Sequence, residues 1–327
     1  MSSNTMNLAD QRRNAKLKSI LMRTELSMIL IIAVLFLAAA FGTKNFLTAY
    51  NLTNILKQCA IIGVISVAET YIIITGGIDI SCGAIVGMST LMVATCQASG
   101  FGVLPSMLVA VAVAVVCGMF NAVLVHEFNV TAFVATLGTQ TILRGLIKVI
   151  SHGGTVNGLV KSFADFASGS TLFIPNLAII WLGIAIICFL ILRYAVFGRN
   201  LFVLGSGREV AHLNGISIRK TTYMAYAFAG LLYGIAGILL ASRINSAIPT
   251  AGEGYETNAI AASVLGGASL AGGSGSVMGT VLGTVLIILI DNVGTQFGID
   301  AFTMQVVTGC VIVIAIIVDQ LKKRHSR

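Results

Sequence analysis

The chain has 327 residues, of which 57% are hydrophobic and only 10% charged, and its mean hydropathy is +0.95. A soluble core of ordinary size cannot enclose that much apolar surface, so the composition excludes a water-soluble globular protein and indicates an integral membrane protein. The net charge of +8 does not point to nucleic acid, because the basic residues are distributed by topology.

Apolar runs of roughly 16 to 23 residues recur along the chain, the length a helix needs to cross about 30 Å of hydrocarbon at about 1.5 Å per residue. Ten spans are predicted, at 26–42, 54–75, 83–98, 103–126, 131–150, 175–193, 221–242, 256–270, 275–291 and 302–318. The third and eighth are short and interrupted by glycine, so tilted, broken or partly re-entrant segments are expected there, with eight or nine full crossings as the alternative. The chain divides into a basic segment over 1–25, a single all-α transmembrane domain over 26–320 with a polar loop at about 194–220, and a basic tail over 321–327.

Five of the 20 Lys and Arg precede the first span (Arg12, Arg13, Lys16, Lys18, Arg23), five flank the polar loop (Arg193, Arg199, Arg208, Arg219, Lys220) and four close the chain (Lys322, Lys323, Arg324, Arg327). An even number of spans puts all three groups on one side, which the positive-inside rule assigns to the cytoplasm with both termini. A signal peptide ending at Ala38-Ala39-Ala40 is the alternative for the first span. Its polar lead of about 25 residues exceeds a normal n-region, and removing it would invert the charge asymmetry, so an uncleaved helix is expected. The six cysteines are scattered without a C-x-x-C pair, which indicates neither a disulfide framework nor a zinc site.

Polar residues inside the spans are the candidates for function. Glu69 lies well within the second span, where a carboxylate costs a few kcal/mol unless it meets a partner or water, so it should face a cavity or another helix. Thr70 and Thr75 accompany it, Gly76-Gly77 ends that helix, and Asp79 or Ser81 is placed to cap the next. Thr136, Gly138, Thr139 and Gln140 follow in the fifth span. Arg144 and Lys148, four residues apart at its outer end, are expected to snorkel to the interface, with contact to a docked outer partner or to the opposite subunit as the alternative. The loop 151–174 is the longest expected outside the cytoplasm.

Residues 206–215, Ser-Gly-Arg-Glu-Val-Ala-His-Leu-Asn-Gly, interrupt the apolar second half and suggest a docking surface for a soluble partner. Asn258 opens the eighth span. Gly266 and Gly267 begin a glycine-rich run in which Gly275, Gly279 and Gly283 recur every four residues, a spacing that lets helices approach closely in lipid. Enzyme motifs are lacking: there is no Gly-Lys-Ser/Thr of a P-loop, and His126-Glu127 has no second histidine four residues on. The only histidine after Gly267-Ala268-Ser269 is His325 in the tail, out of reach of a serine nucleophile there.

Taken together, Thr75-Gly76-Gly77-Ile78-Asp79-Ile80-Ser81, Phe133-Val134-Ala135-Thr136-Leu137-Gly138-Thr139 with Arg144-Gly145, the stretch 207–216, Pro249-Thr250-Ala251-Gly252 with Gly254-Tyr255-Glu256, and the run 264–273 with Gly275 and Gly279 resemble the permease subunit of bacterial ribose-type monosaccharide ABC importers. The resemblance extends over nearly the whole chain. It implies an inner-membrane permease working as a pair, often a homodimer, with cytoplasmic ATPase subunits that use ATP and Mg, and with a periplasmic sugar-binding protein. The chain itself would bind no cofactor or metal and would catalyse no reaction. In this family a short cytoplasmic helix with an acidic-alanine-glycine signature enters a cleft on the ATPase; Glu209, Ala211, Gly215 and Ile216 match it, within a coupling segment that also holds Gly207, Arg208, Val210 and Asn214. Val210 replaces the usual alanine and Asn214 a small residue. Glu69, Thr70, Thr75, Gly76, Gly77, Asp79, Thr136, Thr139 and Asn258 are the expected translocation-pathway residues. A proton-coupled secondary transporter or channel using Glu69 is the alternative, and it leaves the polar loop unexplained.

Overall fold

A computed structural model describes residues 24–172 and 174–325. The basic segment before Thr24 and the last two residues lie outside that range. The described chain is almost entirely helical: α1 Thr24–Gly42, α2 Ala49–Ile74, α3 Cys82–Ala98, α4 Val103–His126, α5 Ala132–Ile150, α6 Lys161–Ser168, α7 Asn176–Tyr194, α8 Val196–Ser206, α9 Arg208–Leu213, α10 Ile218–Ile244, α11 Tyr255–Leu265, α12 Val277–Gln296 and α13 Ala301–His325. A two-residue hairpin, β1 Ser170–Thr171 with β2 Ile174–Pro175, follows α6.

Each of the ten expected spans coincides with one helix, and seven of these (α1, α2, α4, α5, α7, α10 and α12) are long and apolar enough to cross a membrane. The two expected to be irregular are the short ones. α3 has 17 residues. α11 has 11, a rise of about 16 Å and so about half a crossing. The helix predicted to run to residue 270 stops at Leu265, because Gly266 and Gly267 follow and the chain turns at Gly267 with φ +92°.

α2 is the axis of the molecule. Every residue from Cys59 to Ile74 is buried, with α7, α10, α11 and α12 packed around it. Such a helix has no polar face, as befits one enclosed on all sides. Its ring contacts are specific: the Tyr71 hydroxyl donates to Cys188 O at 2.6 Å, and the Tyr71 ring lies against Phe228 and Phe197. α1 stands at the opposite extreme. It packs on α12 and leaves Leu30, Val34 and Leu37 more than half exposed, the surface expected to meet lipid.

Helix approach depends on small residues, as it must where apolar side chains gain nothing by leaving lipid. Gly279 and Gly283 of α12 sit against the carbonyls of Gly266 and Ala262, so a Cβ at either would collide with backbone. Gly275 does not share that helical face. α12 begins two residues later, with Ser276 accepting from the Gly279 amide at 3.3 Å, and Gly275 instead leaves room for the Ile74 side chain.

The bundle has two distinct ends. α8 and α9 lie at one, with the C-terminus of α2 and the N-termini of α10 and α12. At the other, α6 crosses over α10, where Ser242 Oγ donates to Phe163 O at 2.6 Å. The loops 151–160 and 245–254 are joined there by a two-way backbone bridge between Val156 and Ala247.

Candidate functional site

At the first end, Arg208 to Leu213 forms one and a half turns closed by a Schellman motif: the Gly215 amide donates to His212 O at 3.0 Å and the Ile216 amide to Ala211 O at 2.9 Å. Gly215 has φ +69° there, a conformation that costs an L-residue about 1–2 kcal/mol. Ala211 is fully buried while Val210 and Leu213 are 42% and 80% exposed. Glu209, Asn214 and Gly215 are also exposed, and Gly207 is half-buried. Arg208 is anchored to Asn129 Oδ1 at 3.3 Å. An exposed leucine beside a carboxylate outside the apolar bundle is a surface suited to a protein partner.

α8 connects this surface to the axis. Gly205 lies directly against Ile74 O and the Gly273 amide, with no space for a Cβ. The Gly273 amide donates to Ile74 O at 2.9 Å. α2, α8 and the 271–273 turn therefore meet backbone to backbone. The same end holds a cavity of about 420 Å³ whose lining includes Thr75, Gly76, Gly77, Arg208 and Tyr226.

Between α2 and α3 the chain runs without helix over 75–81, and the amides of its last three residues are satisfied by side chains. A second Schellman motif at Gly76 (φ +83°) ends α2. Beyond it, the Asp79 amide donates to Glu69 Oε1 at 3.0 Å, the Ile80 amide to Thr136 Oγ1 at 3.1 Å and the Ser81 amide to Asp79 Oδ1 at 2.9 Å. Tyr233 donates to Glu69 Oε2 at 3.0 Å; Ser81 Oγ donates to Asp79 Oδ1, Asn121 donates to Ser81 Oγ at 2.8 Å, and Thr139 donates to Asn121 Oδ1 at 2.6 Å. Asp79 thus stabilises the turn ahead of α3, and Ser81, which stands at the N-cap, makes no side-chain capping bond.

Glu69, Thr70, Asp79, Thr136 and Thr139 are each at most 3% exposed. Of the two possibilities raised for Glu69, the structure realises contact with other elements, through the Asp79 amide and Tyr233. Thr70 shares a hydroxyl cluster with Ser263 and Thr280 at 3.1 and 2.6 Å, joining α2 to α11 and α12. Thr75, Gly76 and Gly77 front the cavity beside α9, and Asn258 fronts cavities at the far end. The nine residues therefore fall into four places and form no single lining.

Arg144 departs from the expectation of snorkelling. It turns inward, donating to Ala251 O at 2.7 Å, because Gly87 of α3 leaves space for the guanidinium. Lys148, one turn further out, is exposed. Gln140 donates to Glu256 Oε1 at 3.2 Å in the same layer, and Gly83 makes room for the Glu256 carboxylate.

Sequence analysis did not single out Gly205, Asn121 or Tyr233 as site residues. Asn121 and Tyr233 are polar groups in apolar spans, a signal as plain as that of Glu69, whereas Gly205 carries no such mark. Nor did it single out Gln58, Arg243 and Asp291, which meet at the far end. Asp291 lines three adjoining cavities of about 460, 630 and 330 Å³; Gln58 lines the first and third, and Asn258 the second and third.

An all-α membrane domain with two broken crossings, a buried polar network beneath them and a projecting short helix is the architecture of a transport permease. Comparison with known proteins agrees. The family model for the permease component of branched-chain amino acid transport systems matches residues 51–316. The ribose import permease protein of Bacillus subtilis (strain 168) is 37% identical over 291 residues, 88% of this chain and 90% of that protein. The ribose import permease protein of Escherichia coli (strain K12) is 34% identical over 299 residues, 90% and 93% of the two chains. The D-allose transport system permease protein of the same strain is 32% identical over 289 residues, 87% and 89%. No solved structure matches the chain. The chain belongs to the ribose-type sugar permeases of ABC importers, and it is a multi-pass membrane protein.

Proposed function

We propose that this permease carries a monosaccharide across a bacterial inner membrane, as one of two copies driven by separate ATPase subunits and supplied by a sugar-binding protein. The observation that carries the proposal is α9: a capped helix with Leu213 and Val210 exposed, held to the axial helix α2 through Gly205. Closure of an ATPase dimer around α9 would pull on the bundle at a backbone contact that cannot compress, which favours rigid-body rocking over local deformation. The names of the relatives support a pentose or hexose as the solute. Both termini and α9 then face the cytoplasm, and the joined loops 151–160 and 245–254 receive the binding protein.

The test is to co-express the permease with its ATPase. Glu209→Lys and Gly215→Trp should abolish uptake and reduce recovery of the ATPase with the permease, while the permease remains inserted. Normal ATPase recovery and normal uptake in both variants would refute the assignment. A proton-coupled carrier would keep transporting without ATP hydrolysis, and the buried Glu69, bonded at both carboxylate oxygens, offers it no accessible relay group.

A further inference from the structure

At the end away from α9, polar side chains converge on an opening between α2, α10, α11 and α12. Its cavity of about 330 Å³ is walled by Gln58, Arg243, Tyr255, Asn258 and Asp291, with Ile61, Ile62 and Ile288 behind them, and it adjoins the larger cavities that share Asp291. The volume lies within the range of about 300–1,000 Å³ usual for small-molecule sites.

These groups have unused bonding capacity. The side-chain amides of Gln58 and Asn258 make no hydrogen bond to another described residue. The Asp291 carboxylate accepts only from Thr308, at 3.3 Å, leaving most of the four or so acceptor positions of a carboxylate open. Arg243 spends one donor on Asn54, at 2.9 Å. Arg243 and Asp291 line the same cavity without forming an ion pair; the one salt bridge among the described residues joins Arg219 to Glu127. Intramembrane groups left in this state mark a polar ligand or its path.

The chemistry selects the ligand class. One carboxylate and one guanidinium balance in charge, so the cavity favours a neutral solute over an ion. A carboxylate accepts from two adjacent hydroxyls, amides both donate and accept, and a guanidinium donates. The isoleucines offer an apolar wall to the C–H face of a ring. We infer that this cavity is a binding station for a neutral, single-ring polyol of monosaccharide size, with Asp291, Gln58, Asn258 and Arg243 as its hydrogen-bonding contacts. The inference deepens the monosaccharide proposal above and rests on it for the solute's identity, but it concerns binding by this chain alone.

A protection experiment without ATP tests it. Thr295, exposed and lining two of the cavities, is replaced in Thr295→Cys, in full-length permease lacking the native cysteines and reconstituted in lipid. Labelling by a membrane-impermeant thiol reagent is followed with D-ribose, D-allose, D-xylose or D-galactose, and with sucrose as an osmotic control. Slowing by at least one monosaccharide and not by sucrose is expected. Adding Asp291→Asn should raise the sugar needed for protection about tenfold or more, the effect of weakening hydrogen bonds to a charged group. Recovery of the variant in detergent extracts establishes that it folds. No protection by any monosaccharide, equal protection by sucrose, or protection unaltered by both Asp291→Asn and Gln58→Leu would overturn the inference. Because uptake is not measured, such a failure is distinct from loss of ATP-driven transport, which would count against the monosaccharide proposal.

Discussion

Glu69 shows how one residue can make an irregular membrane segment possible. Non-helical backbone at membrane depth is tolerated only where its polar groups find partners, and Glu69 supplies one to the Asp79 amide while its other oxygen takes the Tyr233 proton. Glu69→Gln keeps the shape and one good acceptor. Glu69→Leu leaves two buried donors unpaired, at a cost of about 1–3 kcal/mol each. The expected order of uptake is therefore wild type, Gln, Leu, with the Leu variant also losing thermal stability in detergent. Wild-type uptake and stability in Glu69→Leu would show that 75–81 holds its conformation by packing alone. The residue was conspicuous in the sequence as a carboxylate in an apolar run, but its partners were not, because Tyr233 is 164 positions away.

At the scale of elements, the junction of α8 with α2 is the point where, under the proposed coupling, motion at α9 would enter the bundle. Gly205→Val places a branched side chain into Ile74 O and the Gly273 amide, so α8 must move away from the axis. Overpacking of that kind costs about 1–3 kcal/mol. The predicted phenotype is uncoupling: ATPase still recovered with the permease, because α9 is untouched, but uptake strongly reduced. Loss of ATPase recovery together with uptake would place Gly205 in the docking surface instead. The periodicity of the apolar runs was sufficient to locate the helices, since a membrane segment must satisfy its backbone internally. It was insufficient to end α11 at Leu265, because Ala268 to Leu270 are as apolar as the helix before them and the turn depends on the positive φ of Gly267 and on Gly266 packing against the backbone of Gly279.

For the whole molecule, the two ends must face opposite compartments. Ser168, at the end of α6, and Ser206, at the end of α8, are both exposed. Single cysteines at these sites, in a background without the native six, should label oppositely with an impermeant reagent: Ser168→Cys from outside, and Ser206→Cys only once the membrane is opened. Labelling of Ser206→Cys from outside would invert the map and remove α9 from reach of any cytoplasmic ATPase.

Composition and hydropathy by themselves determined that this chain is an all-α membrane protein and where its ten helical segments lie, since both follow from transferring side chains into hydrocarbon, a local property. The exposed character of 207–216 was equally legible, because a polar interruption has nowhere to go but water. Only the tertiary structure decided which intramembrane polar groups are sealed and which are open. Glu69 and Asp291 are both single carboxylates in apolar helices. One is enclosed by α10 and the 75–81 turn, and the other stands at the meeting of three cavities. That difference depends on which distant helices pack against each residue, and no local pattern along the chain records it.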